Sequence, residues 1–514
     1  MAMQLKTMRA AFLAGIMALS LAGPVLAAPQ ADDKPLPPLQ TVWHRYDTLT
    51  DAGKYQQALK EMTAFAADTR RAGRERARIY GMTAVLCTKV KDDACFRTNI
   101  ANALKADLQV GHFMDALLFS DSPDKDQAIE SFLWLVQNKS SMLGGISVRK
   151  IWQYLRHFEK AKHEDKAYTL LKILHDSGYT GDNKGATPEY LWFELARLQL
   201  KRGDTAAAKA LIQHTQFGAD AYIRAWQDRD YEGLWPTLEK DPRFTPDKLL
   251  DTELKLAALD QARAQKEGWE SWLGARLGLV QAYRAADNAE EAVMAAEQTL
   301  DAVPDADRKS ENYYWVQNEL AYAYEDAGRV DDALTLMASV IKGDLKTSPS
   351  LINQYINYGE MLWRHGRDEE ALKAADKTLV DGKGYVSDFG AYWAKASKVC
   401  ALHSLGRAAD ADAIYGPLYK SAKTNYSAVT MAALCLGRED DAATLYKTRL
   451  ASEDDRSTAL LALSRFRTSG KPDEATKLRA LVDKIAARPD VQKAVKAVGR
   501  LGDWNFAFSY WGEF

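Results

Sequence analysis

Apolar positions along this chain recur three and four residues apart, the spacing of amphipathic helices, and the runs are cut at intervals by a glycine or another turn residue. Leu320, Ala321 and Tyr324 precede Gly328, and Ala333, Met337 and Val340 follow it. Leu279, Val280 and Tyr283 stand before Asp287 with Ala292 after it, and Tyr358, Gly359 and Leu362 stand before Gly366 with Ala371 after it. Each turn opens the same phrase of turn residue, charged stretch and alanine: DNAEEA from Asp287, GRVDDA from Gly328, GRDEEA from Gly366, GRAADA from Gly406, GREDDA from Gly437 and GKPDEA from Gly470. Self-similarity at roughly 30 to 40 residues predicts an all-α solenoid of stacked antiparallel hairpins, because one hairpin cannot bury its apolar face alone. Glycine at the turn supplies the left-handed residue that ends the first helix of each hairpin. Acidic pairs such as Glu290-Glu291 and Asp331-Asp332 fall in one repeated slot, where the macrodipole favours them at a helix start, and so read as structure rather than as paired catalytic carboxylates.

The first half carries the pattern less regularly. Gly53 with Ala58, Lys162 with Ala167 and Gly203 with Ala208 keep the register, while Ala94 and Ala128 fit it loosely. The stretch from Tyr231 to Phe244, YEGLWPTLEKDPRF, contains Pro236 and Pro242 and reads as the end of one array, since proline stops helices. The expected organisation is a signal peptide over 1–27, a proline-rich linker over 28–41, a degenerate helical-repeat array over 42–250, a regular array over 251–490, and a capping helix with an aromatic tail over 491–514.

The leader rests on Lys6 and Arg9, the apolar run from Ala10 to Ala22, and the small-residue cleavage site Val25-Leu26-Ala27. That run is shorter than the ~20 residues of a membrane span, and no second one follows, so no transmembrane span is expected. Pro24 stands where a lipoprotein would need cysteine. The expected location is exported, periplasmic or secreted, and in that setting Cys87, Cys95, Cys400 and Cys435 are disulfide candidates. Cys87 and Cys95 flank a short polar bend. Cys400 and Cys435 lie about one repeat apart, but Cys400 is six residues before Gly406 and Cys435 two before Gly437, a mismatch of about one helical turn that weighs against pairing.

With 514 residues, 47% of them hydrophobic and 27% charged, the chain exceeds the size of a single growing core, and stacking meets that constraint. The formal charge of −2 implies no electrostatic partner, and no nucleic acid. The one basic cluster, Arg70, Arg71, Arg74, Arg76 and Arg78, sits among helix formers and reads as a solvated helix face.

The repeats resemble the tetratricopeptide repeat family in their paired small and aromatic residues around each turn. That resemblance implies that the first helix of each hairpin lines a concave groove, with groove slots about thirteen, ten, six and three residues before the turn. The slots hold Trp315, Asn318, Tyr322 and Glu325 before Gly328; Asn353, Ile356, Glu360 and Trp363 before Gly366; and Trp393, Ala396, Cys400 and His403 before Gly406. The ligand-groove candidates are therefore Trp315, Asn318, Tyr322, Asn353, Asn357, Trp363 and Trp393, aromatic anchors and amides suited to a peptide backbone. The competing reading packs these aromatics between neighbouring hairpins. Some family members clamp a terminal carboxylate with basic side chains; here Asn357 fits such a set, but Trp393 and Ser397 stand where the next repeat would need basic residues.

The tail interrupts the helical text. Trp504, Phe506, Phe508, Tyr510 and Phe514 alternate with small or polar residues, which is strand periodicity. It resembles the terminal strand of outer-membrane β-barrels, although the rest of the chain lacks barrel segments. Two readings follow: a cap over the last hairpin, or a strand that docks a partner among outer-membrane components.

No phosphate loop, nucleophile elbow or zinc-helix motif occurs, and the histidines, among them His157, His163, His365 and His403, are scattered, so no catalytic residue, cofactor or metal is assigned. The expected function is a non-catalytic scaffold of the bacterial cell envelope that binds protein or peptide. The alternatives are a polysaccharide-export or secretion component that contacts glycan, and a cell-wall enzyme on a helical platform, which would need a catalytic domain free of the repeat pattern.

Overall fold

In the computed structural model, the described residues are 36–507 apart from 140–141, 144–145, 147, 180–188, 216–217, 265–267, 468–469 and 471. The leader and most of the linker lie outside them. The protein is all-α and solenoid-like, and its contacts divide it into two compact units between Leu195 and Ala196. The boundary read near 250 marks a change in the repeat text and falls inside the second unit.

The first unit contains α1 (Leu39–Asp51), α2 (Tyr55–Ala67), α3 (Gly73–Lys89), α4 (Asp93–Ala106), α5 (Leu108–Leu117), α6 (Lys125–Asn138), α7 (Val148–Lys160) and α8 (Glu164–Asp176). The division falls within α9 (Glu189–Lys201). The second unit continues with α10 (Thr205–His214), α11 (Ala219–Gln227), α12 (Trp235–Lys240), α13 (Pro246–Ala264), α14 (Trp269–Ala285), α15 (Ala289–Ala302), α16 (Glu311–Asp326) and α17 (Val330–Val340). It then runs through α18 (Ile352–Arg364), α19 (Asp368–Asp381), α20 (Asp388–Ser404), α21 (Ala408–Lys420), α22 (Tyr426–Cys435), α23 (Glu439–Leu450) and α24 (Arg456–Leu463) to β1 (Arg465–Arg467), α25 (Glu474–Ala486), α26 (Pro489–Val498) and β2 (Asp503–Ala507).

One turn builds both halves. Gly53, Gly203, Gly328, Gly366, Gly406 and Gly437 have positive φ, and where the sequence has no glycine Lys91, Lys162 and Asp287 take the same conformation. The next backbone N–H then closes on a carbonyl five residues back, as Arg329 N on Tyr324 O at 2.7 Å and His163 N on Phe158 O at 2.8 Å. This is the Schellman bond that satisfies the last carbonyls of a helix. The alanine of each phrase is fully buried at positions 58, 167, 208, 292, 333, 371, 411 and 442, or nearly so, where the second helix crosses the first. The sixth phrase departs from this plan. Gly470 keeps its positive φ of 70°, but it follows a strand rather than a helix, because β1 pairs with the tail.

Both cysteine pairs are at disulfide distance, with Cα separations of 5.6 Å for Cys87 and Cys95 and 5.1 Å for Cys400 and Cys435. The mismatch counted from the turns does not keep the second pair apart, because α20 and α22 pack side by side and bring these two positions level. Arg71 also departs from the solvated-face reading. It is buried, and its guanidinium donates to the Pro37 carbonyl at 2.9 Å.

Strands β1 and β2 form a parallel pair in register Arg465 with Asp503 and Phe466 with Trp504. Trp504 is buried edge-on against Tyr222 and Trp226, with ring centroids 6.1 and 5.1 Å apart. Phe506 belongs to β2, whereas Phe508, Tyr510 and Phe514 lie outside the described residues. The described start of the tail is thus part of the second unit's own packing. Just before it, Arg500 inserts between two indoles, 3.6 Å from the Trp226 centroid and 4.0 Å from that of Trp235. Its Nε donates to the Trp226 carbonyl at 2.7 Å and its Nη1 to Glu239 at 2.6 Å. The stretch read as a repeat terminator supplies two of these partners, Trp235 and Glu239, and Trp226 comes from the end of α11. Pro236 sits in the first turn of α12, where a missing N–H costs nothing, and so starts a short helix that carries Trp235 and Glu239. Arg500→Ala should lower the unfolding free energy of the second unit by about 2 kcal/mol, from two cation–π faces and two charge-assisted bonds in a partly solvated site. Arg500→Lys should restore less than half of that in urea titration, since an ammonium cannot stack on both rings.

Candidate functional site

Three successive first helices of the second unit carry charges two or three residues before the turn. Counting back from the turn, the slots two and three residues earlier hold Arg284 in α14, Glu325 and Asp326 in α16, and Arg364 in α18. The sign alternates from one hairpin to the next, so stacking brings opposite charges together. Arg284 donates to Glu319 and to Asp326, each at 2.7 Å. Arg364 grips both oxygens of Glu325, at 2.8 and 2.6 Å, and the His365 ring also meets Glu325. Glu319, Tyr322 and Glu325 share a face of α16 by their three-residue spacing. The Tyr322 ring lies between the two guanidinium groups, 5.0 Å from that of Arg284 and 5.7 Å from that of Arg364.

Burial governs the ionisation of this row. It works against the Glu325 carboxylate, but Arg364 and His365 outweigh it and hold the Glu325 pKa below the ordinary range. Burial prevails at Asp326 and pushes its pKa up despite Arg284. Both guanidinium groups are held more firmly protonated than usual, since their carboxylates outweigh the loss of water. Burial pushes the Tyr322 phenol well above its normal value. Arg284, Arg364 and Glu325 are thus held in their charged forms by one another.

The groove candidates are placed less openly than expected. Asn318, Tyr322, Asn357, Trp363 and Trp393 are buried, while Trp315 and Asn353 keep part of their surface. Tyr322, Trp363 and Trp393 belong to the main apolar cluster of the second unit, in keeping with the reading that packs them between hairpins. Asn357 donates to the Asn318 carbonyl oxygen at 2.7 Å, joining α18 to α16. Cys400 is bonded and buried. What remains accessible is the rim, where the turns emerge: Asp287, Arg329 and Arg367. Of the charges beneath that rim only Glu325 fell in a slot counted from the turn; Arg284, Asp326 and Arg364 each read alone as an ordinary residue of a last helical turn, and the alternation emerges only when successive turns are compared.

One other polar cluster stands in the first unit. Ser131 donates to Asp115 at 2.6 Å, and His112 Nδ1 lies 3.0 Å from the same hydroxyl. In a nucleophilic triad the histidine stands between the serine and the acid. Here the serine stands between them and is fully buried, so the order is that of a structural link between α5 and α6. Burial raises the Asp115 pKa to about 6. An acid raised in the folded state binds protons that the unfolded chain has released, so the first unit should lose stability as pH rises from about 4 to about 6. Asp115→Asn should remove that slope and stabilise the unit at pH 7.5 by up to about 2 to 3 kcal/mol, with the gain gone at pH 4, measured by denaturant titration at the two pH values.

No family model matches the chain, and no curated protein matches it. Among solved structures it is similar to a Rap protein, described as a crystal structure complexed with competence and sporulation factor, at 14% identity and a TM-score of 0.35 over 70% of this chain and 99% of that one.

Proposed function

We propose that this protein is a non-catalytic scaffold of the bacterial cell envelope that binds protein or peptide along the rim of its second unit. The observation that carries the reading is the row of alternating charges on α14, α16 and α18, held in register by identical turns. Above that row the rim exposes one charged turn residue per hairpin, Asp287, Arg329 and Arg367, which would give a bound chain one polar contact per hairpin. An exported location is supported by the leader text and by two cysteine pairs at disulfide distance, which persist in oxidising compartments. No helix among the described residues is long and apolar enough to cross a membrane. The glycan-contacting reading draws on the aromatic content, and among the described candidates Tyr322, Trp363, Trp393 and Trp504 are buried, which leaves few rings for a sugar face.

The test places a photo-cross-linking side chain at Arg367, on the rim, or at Val380, exposed at the far end of α19, and irradiates the mature protein in periplasmic extract. Protein adducts from position 367 and none from 380 are expected. Absence of protein adducts at 367, together with retention of the protein on a glycan column, would overturn the reading in favour of the glycan alternative.

A further inference from the structure

The rim is already engaged by the protein's own chain. Arg467 pairs with Asp287, the turn residue after α14, at 3.1 Å. Gly470 lies against the end of α16: a side chain there would begin 2.8 Å from the Glu325 carbonyl oxygen and 3.3 Å from the Asp326 Cα. Asp473 meets the Arg364 guanidinium of α18 at 3.3 Å. Three successive hairpins are met by residues exactly three positions apart in the chain. Three residues reach at most about 10 Å, and packed helices stand about 8 to 10 Å apart, so contacts at three-residue intervals match the spacing of helices in the stack.

The chemistry of the three contacts differs. The first slot presents the Asp287 carboxylate and takes a cation. The second presents backbone and admits no side chain. The third presents Arg364, buried and bound to Glu325, with an Nη1 donor still directed at a carboxylate.

We propose that Arg467, Gly470 and Asp473 are an internal occupant of a peptide track, and that the track takes a peptide carrying a cationic side chain, a glycine able to adopt positive φ and a carboxylate at three-residue intervals. This rests on the scaffold reading and adds to it a ligand signature and a competitor that the ligand must displace. A tethered competitor acts at an effective concentration in the millimolar range, so the unaltered protein is a weak binder until its own segment leaves.

The test uses the full mature protein and a fluorescein-labelled peptide RFRTSGKPDE, which copies residues 465–474, read by fluorescence anisotropy. Arg467→Ala with Asp473→Asn weakens the internal occupant and leaves Asp287 and Arg364 in place; asparagine also keeps the start of α25 capped, since Asp473 accepts from Thr476 N at 2.9 Å. This variant should bind the peptide at least tenfold more tightly than the unaltered protein. A peptide with valine in place of its glycine should bind at least tenfold more weakly than the parent. Arg467→Ala alone alters only a half-exposed pair, so it folds, and it should give a smaller gain in the same direction. Equal affinity of all three proteins, equal affinity for the two peptides, or no binding to any form overturns the inference. Envelope proteins cross-linked from position 367 equally by the unaltered and doubly substituted proteins would sink the inference and leave the scaffold reading standing.

Discussion

Replacing Arg284 with methionine should lower the stability of the second unit by about 3 to 5 kcal/mol, the cost of stripping the partner from a buried charge. Arg284 is almost wholly buried and is the cation shared by Glu319 and Asp326. Methionine fills much of the same volume, so the loss comes from charge rather than from a cavity. Without the guanidinium, Asp326 loses the hydrogen bond from Arg284 and Glu319 is left with that from the Gln281 amide. Asp326 is already pushed up by burial with Arg284 in place, and its pKa should rise further in the variant. An acid raised in the folded state contributes stability at low pH that is lost as pH rises, so the deficit should be larger at pH 7.5 than at pH 5. Adding Glu319→Gln to Arg284→Met should recover part of the loss, because it removes one unpaired charge and keeps the shape. Denaturant titrations of the two variants at both pH values measure this. A deficit below 1 kcal/mol, or one that grows on acidification, would mean that the row is solvated and contributes no framework for ligand recognition.

The fold was legible because the turn phrase recurs. Gly328, Gly366, Gly406 and Gly437 announced the left-handed residue directly, and the buried alanines that follow have no alternative place in a hairpin. Lys91, Lys162 and Asp287 adopt the same conformation without glycine, and there only the register of the flanking residues gave the turn away. The candidate site was less legible. A groove slot counted from a turn identifies the side of a helix a residue occupies, but says nothing of what covers that side. Trp363 and Trp393 are on the expected helices and yet are enclosed in the apolar cluster. Three-residue β1 carries no period of its own and exists because β2 pairs with it from beyond two intervening helices, a nonlocal cause that no window of sequence contains. The place of Arg500 between Trp226 and Trp235 is nonlocal in the same way.

Removing the Cys400–Cys435 bridge by paired alanine substitutions should cost the second unit about 4 kcal/mol, since the closed loop spans 35 positions and the chain-entropy estimate grows with its logarithm. The bridge joins α20 to α22, the first helices of consecutive hairpins, and Cys400 is fully buried in the main cluster, so it ties neighbouring repeats where the stack would otherwise rely on packing alone. A solenoid gains its cooperativity from such interfaces, and weakening one lets the repeats beyond it open separately. Hydrogen exchange should therefore quicken over α20 to α23 and stay unchanged over α3 and α4, which have their own bridge at Cys87–Cys95. Removal of that shorter link, eight positions long, should cost only about 2.5 kcal/mol and quicken exchange over α3 and α4 instead. Equal losses from the two removals, or exchange that quickens uniformly, would show that neither bridge acts on its own hairpins. With the predicted ordering, oxidation fixes the hairpins from α20 to α23, which stack beyond the row of charges, and a reducing compartment would loosen that end of the second unit first.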